Sequence, residues 1–293
     1  MSSTVDSLKT VFIGAFAPVL WGTMPIVATQ TIAPGHPLLV ATVRSLGGGL
    51  LLLALLREWP PRTWYARVLI LGLINIAAVF ALFFISASRI PGGVLAIIMA
   101  LSPFWAASFA WPLLGQRPKL ADAVLIGLGV LGVVLIVGTS DAPMNPLGVL
   151  AALGASVCMG LGVVLIKRWG RPSGLLVFAS WQLTAGGIIL CVLTLVFERQ
   201  PLPLDAGSVA GLGYLMLLAT VAAYPAWFVG IERLGAQRTS LLLLLVPVVA
   251  MLLGAIVLQQ GLTGLQFLGM VVVLGCLALS QRHLFLRERH TDS

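Results

Sequence analysis

Apolar residues run through almost the whole chain in long blocks, separated by short polar stretches. A helix needs about 20 apolar residues to cross the hydrocarbon core of a bilayer. Ten windows of that kind can be drawn: 10–28, 37–56, 68–88, 93–114, 121–138, 147–166, 174–197, 208–231, 240–258 and 265–280. Turn-forming residues lie between them, as in Ala33-Pro34-Gly35-His36-Pro37, Pro60-Pro61, Asp141-Ala142-Pro143 and Gln200-Pro201-Leu202-Pro203. No connection is long enough to hold a soluble domain. Runs of this length predict helices rather than barrel strands. The expected fold class is an all-α integral membrane protein of ten transmembrane helices.

Composition and charge sharpen this picture. The 293 residues are 59% hydrophobic and only 9% charged, with a mean hydropathy of +1.08; soluble domains carry about 25% charged residues. So few charges cannot cover a soluble globule, and disorder needs the opposite composition. The net charge of +8 has a positional meaning. With the N-terminus inside, the inner segments hold Lys9; Arg57, Arg62 and Arg67; Arg117 and Lys119; Lys167, Arg168 and Arg171; Arg233 and Arg238; and Arg282, Arg287 and Arg289, which is 14. The outer loops hold 2, Arg89 and Arg199, and Arg44 inside a span completes the 17. This bias predicts an inner-membrane protein with both termini in the cytoplasm, and it accounts for the charge without a nucleic-acid partner. Trp59, Trp64, Tyr65 and Trp169 fall at inner span ends, where interface anchors belong. The first apolar run has no small-residue cleavage site, so it reads as a retained span. Cys158, Cys191 and Cys276 are widely spaced inside apolar runs and read as small hydrophobes, with no disulfide frame and no metal site. No cofactor is implied.

The two halves resemble each other. Ser88-Arg89-Ile90 precedes a span with Pro103, and Arg233-Leu234 precedes a span with Pro247. The arginines and the prolines are each 144 residues apart, and Gly115-Gln116 matches Gln259-Gln260. Leu38-Leu39-Val40 matches Leu175-Leu176-Val177, and Gly48-Gly49 matches Gly186-Gly187 with a one-residue slip. The repeat is therefore five spans, 1–142 and 143–284, with a cytoplasmic tail at 285–293. An odd number of spans forces the second copy to lie upside down in the membrane. Inverted repeats are the architecture of alternating-access carriers, with the substrate near the midplane between them.

Leu20-Trp21-Gly22-Thr23 resembles the W-G-S/T signature of the drug/metabolite transporter superfamily, as does Pro37 followed by Arg44. The resemblance covers nearly the whole chain as two EamA-type repeats. Leu20-Trp21-Gly22-Thr23-Met24 and Tyr224-Pro225-Ala226-Trp227-Phe228-Val229-Gly230-Ile231 are further similar to the aromatic amino-acid exporter (YddG-type) branch. Gln116 and Gln260 stand where many members have Glu, so no acidic partner is carried over. The resemblance implies export of amino acids, aromatic and other neutral ones; a multidrug or other small-metabolite exporter of the same superfamily is the alternative.

Read from the residues alone, Arg44 is the one ionisable residue inside a span; it either meets a substrate carboxylate or has a structural role. No Asp or Glu falls inside a span, and Asp122, Glu198 and Glu232 are at edges. His36 is in an outer loop, and His283 and His290 are in the tail. This predicts transport without an intramembrane carboxylate proton relay. Trp21, Trp105, Trp181 and Tyr224 fall near the middles of their spans, away from the usual interfacial belt, and Trp227 follows on the same helix. Together they suggest an aromatic-lined cavity, with packing as the alternative for each. Asn75 and Gln182 either join helices or hydrogen-bond the substrate. Pro103 and Pro247 are the symmetric hinge candidates; a fixed bend is the alternative reading.

Gly127-Leu128-Gly129-Val130-Leu131-Gly132 spells a dinucleotide fingerprint, but it lies mid-span without the strand that such a site needs. Close helix packing is the expected reading there and at Gly47-Gly48-Gly49. No hydrolase or metalloprotease motif and no paired carboxylate occurs within a span, so no enzyme activity is expected. The expected partners are a small-molecule substrate and membrane lipid; the sequence does not set the oligomeric state, and a monomer is compatible with it.

Overall fold

A computed structural model of the chain describes residues 2–32, 34–116, 120–138, 144–199, 205–235, 239, 241–259 and 263–291. Arg117, Lys119, the 141–143 and 200–203 turns, Arg238 and Gln260 lie outside the described residues. So do the side chains of Lys9, Asp122, Arg282, His283, Arg287, Arg289 and His290. The described residues form helices and turns, without strands. In chain order the helices are α1 (Ser2–Thr31), α2 (Pro37–Leu56), α3 (Arg62–Ala87), α4 (Gly92–Leu114), α5 (Leu120–Gly138), α6 (Pro146–Trp169), α7 (Leu175–Phe197), α8 (Ala206–Leu234), α9 (Leu242–Leu258) and α10 (Gly264–Thr291). Among the described residues 7 helices, α1–α4 and α6–α8, are long and apolar enough to cross a membrane. Shorter apolar helices are Leu242–Leu258 and Gly264–Cys276. α9 opens in a tight 3₁₀ turn, Leu242–Leu244, just before Pro247.

Local chemistry sets the helix ends. Asn145 accepts hydrogen bonds from the Leu147 and Gly148 N–H groups and, with Pro146 as first residue, starts α6. Asp205 does the same for α8 through the Ser208 N–H at 2.7 Å, a bond that holds its carboxyl below the usual carboxylate range. That contribution is present above the ordinary Asp pKa and is lost as pH falls through the lowered value. α2 is capped from a distant part of the chain. Glu198, just past the end of α7, accepts from Leu38 N–H at 2.7 Å and Leu39 N–H at 2.8 Å. A carboxylate there meets orphan donors and the positive end of the helix dipole. α4 and α9 both end in the left-handed conformation, at Gly115 and Gln259, which are 144 residues apart.

The helices approach closely where side chains are missing. In lipid, association relies on van der Waals contact and interhelical hydrogen bonds, so small residues mark the interfaces. A Cβ on Gly187 of α7 would lie 2.5 Å from the Leu46 Cα of α2, and one on Gly49 of α2 would lie 2.7 Å from the Thr184 nitrogen. Further along the same pair, the Thr42 and Thr194 hydroxyls bond at 2.8 Å. These contacts run α2 antiparallel to α7. Two other pairs match each other. Gly22 of α1 seats on the Val246 carbonyl and Val249 of α9, and Gly160 of α6 seats on the Ser102 carbonyl and Trp105 of α4. Positions 102 and 246, and 105 and 249, are each 144 residues apart. In α5, Gly129 abuts Phe104 and Gly132 abuts Gly269 O of α10, so the Gly-rich run is a packing surface.

Three helices contain wide turns of π type: Val43–Gly47 in α2, Gly72–Ala78 in α3 and Tyr214–Ala222 in α8. Such turns are rare and recur at functional sites. Glycines sit at their edges. Gly48 meets Thr220 across α2 and α8, and Gly72 meets the Gly186 nitrogen across α3 and α7.

Gly187→Leu is expected to destabilise the detergent-solubilised protein by about 1–3 kcal/mol, because the new side chain meets backbone that cannot yield. Gly127→Ala, where a Cβ meets nothing within 4 Å, should leave the melting temperature unchanged. Thermal melting of the two variants beside the parent protein checks this.

Candidate functional site

The wide turn of α8 creates an unusual acceptor. At its end the Ala223 N–H bonds to Leu218 O, five residues back, and the Thr220 hydroxyl likewise reaches back to Leu215 O at 3.0 Å. The Ala223 N–H also bonds Thr220 O, so it takes the carbonyls on either side of Ala219 O and not that one. Ala219 O is taken by two side chains from elsewhere. The Trp21 indole N–H of α1 donates to it at 3.0 Å, and Arg44 Nη2 of α2 donates at 3.4 Å. One carbonyl thus joins α1, α2 and α8.

Aromatic rings surround this junction. Trp21 meets Tyr224 edge-on with centroids 5.8 Å apart, and Trp227 with centroids 5.4 Å apart. Phe228 extends the group from Tyr224 at 5.9 Å. Beside it the Thr23 and Tyr214 hydroxyls share a 2.7 Å hydrogen bond. Trp21, Thr23, Tyr214, Tyr224 and Trp227 are all only half-buried. Trp21 and Tyr224 nevertheless pack against the main core.

Arg44 is 3% exposed. Its guanidinium carbon lies 4.0 Å from the centre of the Phe80 ring of α3. Its Nε is enclosed with no hydrogen-bond partner, and among the described residues it has no carboxylate counter-ion. A buried guanidinium stays charged, and one without a counter-charge is held at high cost.

The other predicted residues fall in separate places. Asn75 of α3 donates to Gln182 Oε1 of α7 at 3.1 Å, and Gln182 donates in turn to Phe178 O at 3.3 Å. The amide pair therefore joins two helices, and Asn75 also fills the space beside Gly162 of α6. Trp105 donates to the Ser156 hydroxyl at 3.0 Å, tying α4 to α6. Trp181 stands apart from the other tryptophans. It is 4% exposed, sits six residues into α7, and donates to Glu58 O at 2.7 Å in the turn between α2 and α3. There it joins Phe178, Trp64, Leu53 and Leu71 in a second apolar cluster. Its indole thus fastens a helix end.

Pro103 lies just past a loosened turn at Ala100–Leu101, where the Leu101 N–H reaches only to Ile98 O. Pro247 follows the tight turn Leu242–Leu244 of α9. Each proline, lacking an N–H, sits where the helix ladder is already interrupted.

Some contacts were not legible in the sequence. Tyr214 pairs with Thr23 across 191 residues, and no local pattern signals it. A cavity of about 340 Å³ lies between α1, the α3–α4 turn and α9, lined by Gly22, Pro25, Thr29, Gln30, Arg89 and Gly254 among others. It is on the α9 side of α1, whereas Trp21 faces α8. The lining residues Thr29 and Gln30 gave no sequence signal beyond their polarity.

The Asn75–Gln182 bond is expected to appear as a coupling of roughly 0.6 kcal/mol, and not above about 1.7, in a double-mutant cycle of Asn75→Ala and Gln182→Ala. Denaturation of the four proteins in mixed micelles measures it; additive losses would mean that the pair does not link α3 to α7.

Comparison with known proteins bears on the whole chain. The model of the EamA-like transporter family matches twice in tandem, at residues 8–138 and 146–281. Protein PecM of Dickeya dadantii is 38% identical over 268 residues, covering 91% of this chain and 90% of that protein. The uncharacterized transporter YvbV of Bacillus subtilis is 25% identical and covers 92% of this chain and 91% of its own length. The uncharacterized inner membrane transporter YedA of Escherichia coli is 26% identical, with 89% and 87% covered. A solved crystal structure shares the fold with a TM-score of 0.64 at 21% identity, over 94% of this chain and 98% of that one. With the family model matched over both halves and PecM aligned nearly end to end, the chain belongs to the EamA-like transporter family of multi-pass membrane proteins.

Proposed function

We propose that this transporter exports amino acids, aromatic and other neutral ones, across the inner membrane by alternating access around an aromatic-lined site between α1 and α8. The observation that carries the reading is the half-buried group of Trp21, Tyr224 and Trp227, with rings 5.4 and 5.8 Å apart, beside the Thr23–Tyr214 hydroxyl pair. Ring faces accept an apolar side chain and attract an ammonium group, while the Thr23 and Tyr214 hydroxyls offer a donor and an acceptor. Trp105 is a further wall residue in this reading, and Trp181 positions α7 from its end.

The proposed architecture is ten spans in two inverted five-helix units, 1–142 and 143–284, with the 285–293 tail and both termini in the cytoplasm. Three observations support it: the tandem family matches, the antiparallel course of α2 against α7, and the paired contacts of Gly22 on α9 and Gly160 on α4. Pro103 and Pro247, at equal offset beside interrupted turns, are the proposed hinges for rocking one unit against the other.

Coupling is proposed to run without an intramembrane carboxylate relay. Among described side chains, Glu58, Glu198, Asp205 and Glu232 lie at helix ends or in turns rather than at mid-span.

Proteoliposomes loaded with labelled Phe, Trp, Met, Thr or a quaternary ammonium are expected to release the amino acids, with little response to a pH gradient. Trp21→Ala should slow Phe release at least about tenfold, the scale of one lost aromatic contact plus a lost hydrogen bond, and Tyr224→Ala about fivefold, the scale of an aromatic contact alone. Movement of the ammonium alone would favour a multidrug exporter instead, and strong acceleration by the gradient would refute the coupling. For orientation, Thr63→Cys and Ser88→Cys in a background lacking Cys158, Cys191 and Cys276 should react with an impermeant thiol reagent from opposite sides. In intact cells Ser88→Cys is expected to be labelled and Thr63→Cys protected.

A further inference from the structure

Arg44 has more hydrogen-bonding capacity than the protein uses. Nη2 makes one long bond to Ala219 O; Nε is enclosed without a partner, and Nη1 makes no hydrogen bond and is not among the enclosed polar atoms. The Phe80 face covers the guanidinium at 4.0 Å. Satisfying Ala219 O would need no charge, because the Trp21 indole of α1 already reaches it. The repeat mate of Arg44 is Trp181, so the pseudo-symmetric architecture does not require a cation at this point.

We propose that Arg44 is the anchor for a substrate carboxylate, met through the open Nη1 edge. This rests on the export reading above and names the group that the site selects. A planar guanidinium fork matches a carboxylate in shape and charge. Arg44 is the one ionisable residue inside the predicted spans, which selects a monoanion over a phosphate dianion that would need a second base. The ammonium of a zwitterion is left to the ring faces of the Trp21, Tyr224 and Trp227 group. The wide turn Val43–Gly47 carries Arg44, and Gly48 against Thr220 brings α2 close enough for the guanidinium to reach α8. The missing counter-ion of the buried cation is then the transported molecule itself.

The test uses the full-length protein in proteoliposomes with four related solutes: L-phenylalanine, 3-phenylpropionate, L-phenylalaninamide and phenethylamine, each corrected for leak from protein-free vesicles. Phenylalanine is expected to move about 30-fold or more faster than its amide, the scale of one lost buried charge pair. Phenylpropionate should compete with phenylalanine, and phenethylamine should not. Arg44→Gln should abolish the preference for acid over amide, and Arg44→Lys should keep part of it. Equal movement of acid and amide by the unsubstituted protein overturns the carboxylate anchor while the export reading stands. So does an Arg44→Gln protein that keeps the full preference. Should Arg44→Gln fail to fold, the ratio in the unsubstituted protein and in Arg44→Lys decides. Movement of none of the four ends the export reading and this inference with it.

Discussion

A backbone carbonyl without a partner is costly in hydrocarbon, and in this chain that constraint converges on Ala219 O. In the wide turn of α8 the Ala223 N–H bonds the carbonyls on either side of this one, and Trp21 and Arg44 donate to it from other helices. Three helices meet at one oxygen atom as a result. The aromatic group around Trp21 and Tyr224 is held in place by the same junction, since the indole that bonds Ala219 also makes the ring contacts. Backbone irregularity inside a membrane is tolerated where protein or a cavity covers it. Here it is covered by the side chains proposed to meet the substrate.

Glycine contacts make that junction reachable. Arg44 can span to α8 because Gly48 lets α2 lie against Thr220, and Trp21 can because Gly14 of α1 abuts Gly230 of α8. The same device recurs at Gly22 on α9 and at Gly160 on α4. Contacts of backbone on backbone are short and flat, so helices held this way can slide without unlocking interdigitated side chains. That suits a carrier, in which two arrangements must lie close in energy. Larger side chains do the fastening at the ends instead: Trp181 on Glu58 O and Glu198 on the first turn of α2.

Charge is sparse, and several buried or edge charges have distinct tasks. Glu198 and Asp205 stabilise helix starts, where orphan N–H groups and the dipole favour an anion. Arg89 satisfies Ile85 O at the α3–α4 turn beside the cavity. Among the described residues Arg44 alone is a cation enclosed with donors to spare. This division separates charges that hold the fold from the one proposed to take its partner from the substrate.

Much of this was legible in the sequence. Hydrophobic run length predicts membrane helices because the bilayer demands it at every position, and the family signature at Leu20-Trp21-Gly22-Thr23 agrees with the tandem family matches. The matched prolines and the Arg44 charge were visible because each breaks a local rule. What the aromatic residues do was not visible. Trp21, Trp105 and Trp181 look alike in sequence, yet one joins the α8 junction, one ties α4 to α6 and one fastens a turn. Asn75 and Gln182 could have faced a substrate, and their 3.1 Å bond to each other is a matter of how α3 lies on α7. The wide turn of α8 leaves no mark on hydropathy, because an extra residue in a turn changes spacing and not composition. The sequence by itself determined that the chain lies in a membrane, is helical and carries one buried cation, since those follow from transfer free energies residue by residue. Which oxygen that cation touches, and which rings stand beside it, was decided by tertiary structure alone, because hydrogen bonds between helices depend on distances that no single helix contains.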